Sequence, residues 1–96
     1  MIFTTSWDDG HVLDNKLCEL LNKYQIKGTF FLSKNYLEEP LHDDEIVQIS
    51  NFHEIGAHTI NHPHLSQLDF NCQYKEINQS KIWLENLLNK KCQGFC

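Results

Sequence analysis

Gln25-Ile26-Lys27-Gly28-Thr29-Phe30-Phe31-Leu32 decides how this chain folds. Gln25 to Gly28 breaks a helical pattern, and the apolar, aromatic run Thr29–Leu32 behind it reads as a buried strand. Upstream, Leu13, Leu17, Cys18, Leu20, Leu21 and Tyr24 recur at helical spacing, with Asp14 near the positive end of that helix. Further back, Ile2–Trp7 is short, β-branched and aromatic, and Asp8-Asp9-Gly10 follows it as a turn signal: a first strand. Downstream, residues 36–42 form a loop punctuated by Pro40. Asp43-Asp44-Glu45 opens a second helix that carries Ile46, Val47, Ile49 and Phe52. Glu54-Ile55-Gly56-Ala57 is a short strand. Residues 65–68 lead into a long helical pattern with Tyr74, Ile77, Ile82, Trp83, Leu84, Leu87 and Leu88, and Gln93-Gly94-Phe95-Cys96 begins a further strand.

Strand–helix alternation predicts parallel strands joined by right-handed crossovers, hence an α/β sheet or barrel. Functional residues in such folds collect at the carboxyl ends of the strands. Asp8 and Asp9 end the first strand and His58 follows the third. The 96 residues, 41% apolar and 22% charged, are those of one ordinary globular domain. A net charge of −5 without a basic patch argues against nucleic acid and anionic membranes as partners. No apolar run approaches the roughly 20 residues of a membrane helix. Met1-Ile2-Phe3-Thr4-Thr5 lacks the basic and apolar segments of a signal peptide, so a cytoplasmic location is expected. Without an export signal, Cys18, Cys72, Cys92 and Cys96 read as reduced thiols rather than two disulfides. A small structural Cys/His zinc module remains a competing reading, although no Cys-x-x-Cys knuckle is present.

Two adjacent carboxylates and the pair His58 and His62 supply nitrogen and oxygen donors for a divalent ion, plus a spare carboxylate. Asp-Asp-Gly on its own is usually a turn, and a His-rich surface loop needs no ligand. A helical His-x-x-x-His arrangement fails here, because Thr59 follows the first histidine and Pro63 disfavours helix at His62. A loop can still converge both rings on one ion. His11, His42, His53 and His64 have no matched partners and read as structural or solvated. Trp83, at helical spacing, reads as core.

Thr5-Ser6-Trp7-Asp8-Asp9-Gly10 resembles the first motif of the polysaccharide deacetylases, Thr-Phe-Asp-Asp-Gly, with Trp7 in place of the usual Phe. His58-Thr59-Ile60-Asn61-His62 is similar to their second, His-Ser/Thr-x-x-His. Lys27-Gly28-Thr29-Phe30-Phe31 and Glu54-Ile55-Gly56-Ala57 resemble strands of the same group, the NodB-homology domains of carbohydrate esterase family 4. The resemblance implies the N-terminal part of a distorted (β/α) barrel. It implies Asp8 as the base that takes a proton from the attacking water, and Asp9, His58 and His62 as metal ligands. Thr59 would brace the histidine loop and Gly10 would let the chain turn close to the ion. The implied cofactor is Zn2+, with Co2+, Ni2+ or Fe2+ fitting a similar shell. The implied substrate is an N-acetylated (or O-acetylated) polysaccharide or sugar, giving acetate. The family's oxyanion-side motif and general acid fall beyond Cys96. Residues 1–96 are therefore expected to be one partial domain, weak or inactive alone and open to self-association through its sheet edge. A catalytically silent metal- or carbohydrate-binding remnant is the alternative.

Overall fold

The computed structural model describes all of residues 1–96. Its elements are β1 (Thr5–Asp9), α1 (Asp14–Lys23), β2 (Gly28–Leu32), α2 (Asp43–Ser50), β3 (Glu54–Ala57), a 3-10 turn (Leu65–Gln67) and α3 (Phe70–Leu88). The three strands form one parallel sheet in the order β1-β2-β3. Each is separated from the next by a helix, as the alternation predicts. The expected further strand is present as a single parallel bridge from Phe95 to Ala57 on the free edge of β3. There Ala57 N–H donates to Gly94 O at 2.9 Å and Cys96 N–H to Ala57 O at 3.1 Å.

The first strand sits later than its composition suggests. Pairing runs from Thr5 opposite Gly28 to Asp9 opposite Leu32. Met1, Ile2 and Phe3 have no partner strand and stand exposed. Asp8 and Asp9 are the last rungs of the ladder, at the strand's end as expected, with pairing to β2 overriding the turn preference of the acids.

Side chains alternate across a strand, and this alternation sorts the sheet into two faces. Phe30, Leu32, Ile55 and Ala57 lie on one face and are buried in a single core with Cys18 and Leu21 of α1, Ile46 and Ile49 of α2, and Leu84 of α3. Ser6, Asp8, Thr29, Phe31 and Glu54 occupy the other face and lie outside that core. Trp83 packs partly buried against the core, as expected from its spacing. The helices are held by ordinary terminal chemistry. Asp69 caps α3 by accepting from Cys72 N–H at 2.8 Å, and Asn89, in the left-handed region at φ 51°, ends it. Glu45 turns back to accept from His42 N–H at 2.7 Å and also accepts from Asn15 Nδ2 at 2.9 Å, tying α2 to α1. No helix is long and apolar enough to cross a membrane.

Candidate metal centre

The site lies where the strands end. Asp9 closes β1 with φ 80°, and Gly10 follows at φ 85°. Two successive left-handed residues turn the chain sharply, and glycine takes such a conformation without strain. A Cβ at Gly10 would stand 3.0 Å from Leu32 Cδ2, so the turn also packs tightly onto β2. From β3 the chain enters the loop 58–62, in which Thr59 and His62 both have positive φ (65° and 53°).

Asp9, His58 and His62 form the one group of metal-capable side chains in the structure, their donor atoms within 4.8 Å of one another. His58 Nε2 and His62 Nε2 each lie 3.3 Å from Asp9 Oδ1. Donors about 2.0–2.1 Å from a tetrahedral zinc are separated by about 3.3 Å, so these spacings suit an ion of that kind. His58 is the more enclosed of the two rings; His62 and Asp9 are about one-third exposed. The second nitrogen of His58 is also held. Nδ1 lies 2.7 Å from the main-chain oxygen of Cys96, which can only accept. Nδ1 therefore donates to that oxygen, and Nε2 is the nitrogen left facing Asp9.

The other residues singled out from the sequence fall as follows. Thr59 is buried, and its hydroxyl accepts from His62 N–H at 3.0 Å while donating to His58 O. Asp8 is exposed on the opposite face of β1 and makes no side-chain hydrogen bond or ion pair. His11 accepts from Leu13 N–H at 3.1 Å and lies 3.6 Å from Glu39. His53 is buried, accepts from Gly28 N–H at 3.1 Å, and has its ring pKa lowered by burial and by Lys27. The four cysteines are separate free thiols, and none joins the metal-capable group.

Four supporting residues were not legible in the sequence. Tyr36, just past β2, stacks on His62 with ring centroids 4.1 Å apart and planes 16° off parallel. Ser33 Oγ donates to Thr59 O and Ile60 O, each at 3.3 Å, and Asn35 N–H donates to Ile60 O at 2.8 Å. Glu76 of α3 accepts from Ile60 N–H at 2.9 Å, Asn61 N–H at 3.0 Å and Asn61 Nδ2 at 2.7 Å. Burial alone would raise the Glu76 carboxyl, but these hydrogen bonds outweigh it and hold it below its ordinary value. A Glu sixteen residues from Ile60 carries no local signal of such a contact.

The family model described as polysaccharide deacetylase matches residues 2–96. A deacetylase from Streptococcus pyogenes, PplD in complex with acetate, superposes with a TM-score of 0.87 at 23% identity, over 94% of this chain and 42% of that one. The peptidoglycan deacetylase PdaC from Bacillus subtilis gives 0.78 at 22% identity, over 96% and 46%. The uncharacterized protein YlxY of Bacillus subtilis (strain 168) is 26% identical over 94 residues, 98% of this chain and 28% of that protein. The chain spans less than half the length of each of these relatives. Its parallel strands and helices match the N-terminal portion of the deacetylase fold. By its match over nearly every residue, the chain belongs to the polysaccharide deacetylase family.

Proposed function

We propose that residues 1–96 supply the metal-binding half of a hydrolase that removes acetyl groups from an N-acetylated carbohydrate. The observation that carries this reading is the convergence of Asp9 Oδ1 with the Nε2 atoms of His58 and His62 at 3.3 Å each. Two imidazole nitrogens and one carboxylate oxygen suit zinc, and cobalt, nickel or iron would accept the same donors. When bound, such an ion polarises an acyl carbonyl and lowers the pKa of water toward neutrality.

Within the chain, Asp9, His58 and His62 hold the ion, and Thr59 fixes the loop that presents both rings. Asp8 is exposed, without a partner, on the face of β1 opposite Asp9, and it is the likeness of Asp8-Asp9-Gly10 to the family's first motif that supports it as the base. In that role it takes the proton of the water that attacks the acyl carbon. The C–N bond then breaks as that proton is passed on to the departing nitrogen, releasing acetate and a sugar amine. Family membership supports an acetylated carbohydrate as the substrate class.

Zinc titration by calorimetry tests the reading directly. The expected result is one-to-one binding that is lost in Asp9→Ala and His58→Ala and kept in Asp8→Asn. Binding indifferent to the first two substitutions would overturn the ligand assignment. Acetate release from an N-acetylglucosamine oligomer that Asp8→Asn leaves unchanged would remove Asp8 from the base role.

A further inference from the structure

We propose that Glu76 is a positioning residue for His62, acting through the backbone of the loop that carries it; the proposal rests on His62 being a metal ligand. Two residues of that five-residue loop, Thr59 and His62, hold positive φ without being glycine. Such conformations cost on the order of 1–3 kcal/mol each and persist only where the surroundings over-determine them. Most of the restraints come from neighbouring backbone or neutral side chains: Ser33 and Asn35 from the end of β2, and Thr59 from within the loop.

Glu76 is different in kind. It is the one charged group bonded to the loop's backbone, and one of its oxygens takes the amides of two successive residues, Ile60 and Asn61. Its other oxygen takes the Asn61 side chain, whose own carbonyl oxygen accepts from Asn35 Nδ2 at 3.2 Å. Charge-assisted bonds of this type are short and about twice as strong as neutral ones. The Asn61 amide is exposed and the Ile60 amide only part-buried, so neither donor depends on Glu76 as a fully buried group would. The consequence of the carboxylate is therefore orientation rather than rescue of a buried donor. By fixing two consecutive peptide planes just before His62, it sets the direction in which that ring leaves the backbone. Tyr36 then closes on the ring's face.

The test combines amide hydrogen exchange by NMR with zinc calorimetry on residues 1–96, comparing wild type, Glu76→Ala and Glu76→Gln. In Glu76→Ala the Ile60 and Asn61 amides should exchange faster and the His62 ring resonances should shift, while core amides such as Leu84 keep their protection. The zinc dissociation constant should rise about 10- to 100-fold, the usual cost of losing a group that orients a ligand. Glu76→Gln, which keeps one accepting oxygen, should fall between the two and carries the comparison if the alanine variant does not fold. Unchanged zinc affinity in a folded Glu76→Ala would overturn the proposal, as would an affinity loss matched by loss of core protection. If wild type takes no zinc, the ligand reading is what fails. The His62 resonances then decide for Glu76 on their own: a ring environment indifferent to Glu76→Ala overturns the positioning role.

Discussion

His58 donates its Nδ1 proton to the main-chain oxygen of Cys96 across 2.7 Å, and this bond decides which nitrogen faces Asp9. The acceptor belongs to the short segment that bridges the edge of β3 through Phe95. A chain ending at Gly94 would keep the Ala57–Gly94 bond but lose this acceptor. Its zinc affinity is expected to fall about tenfold or more with little change in helix content, because a ligating His without its outer partner loses both orientation and basicity. Calorimetry with circular dichroism checks this; equal affinities for the two lengths would show that the bond is dispensable.

The Tyr36–His62 stack makes a second, separable prediction. Tyr36 is 47% exposed, so its ring is not needed to fill the core. Tyr36→Ala should weaken zinc binding several-fold while leaving the unfolding midpoint nearly unchanged, and Tyr36→Phe should restore binding because the stacked face, not the hydroxyl, makes the contact. Failure of the phenylalanine variant to restore affinity would point instead to the hydroxyl.

Gly10 is the position where local backbone and site geometry meet. At φ 85° an L-residue is strained, and a methyl group would also press on Leu32. Gly10→Ala is expected to cost about 1–3 kcal/mol in urea unfolding and to weaken metal binding, since Asp9 precedes it at φ 80°. A variant as stable as wild type would mean the turn relaxes by another route.

These dependencies mark how far the sequence could be read. Helix-breaking at Gly28 and the buried run to Leu32 were enough to place β2, and the alternation around it placed the parallel order. Strand ends were less legible: the acids of β1 carry turn signals, and only pairing with Leu32 draws Asp9 into the ladder. Within the site, Asp9 was visible as a strand-end acid and His58 and His62 as a closely spaced donor pair, while Thr59 was legible only through the resemblance of residues 58–62 to a family motif. Glu76 and Tyr36 were not, because their contacts depend on how α3 and the end of β2 dock against the loop. Tertiary placement of this kind leaves no periodic trace.

Asp14 carries a pH-dependent prediction. It was read as an acid favoured at the start of α1, and it does occupy that first turn. There, burial is the main cause that lifts its carboxyl from 3.8 to about 6; His11 opposes the rise and Asp9 adds to it. One carboxylate oxygen is buried without a hydrogen-bond partner. An acid whose pKa is higher folded than unfolded binds its proton more tightly in the native state. Its contribution is therefore most favourable below pH 3.8 and is lost as pH rises to about 6, after which it is flat. Because the group is only half-buried, the loss is about 1 kcal/mol once solvent screening is allowed for. Asp14→Asn should therefore gain on wild type across that window, by about 4–8 °C in Tm at neutral pH relative to the difference at pH 3.5. Thermal melts at both ends of the range check it: a difference that does not change with pH would show that water reaches this carboxylate more freely than its packing implies.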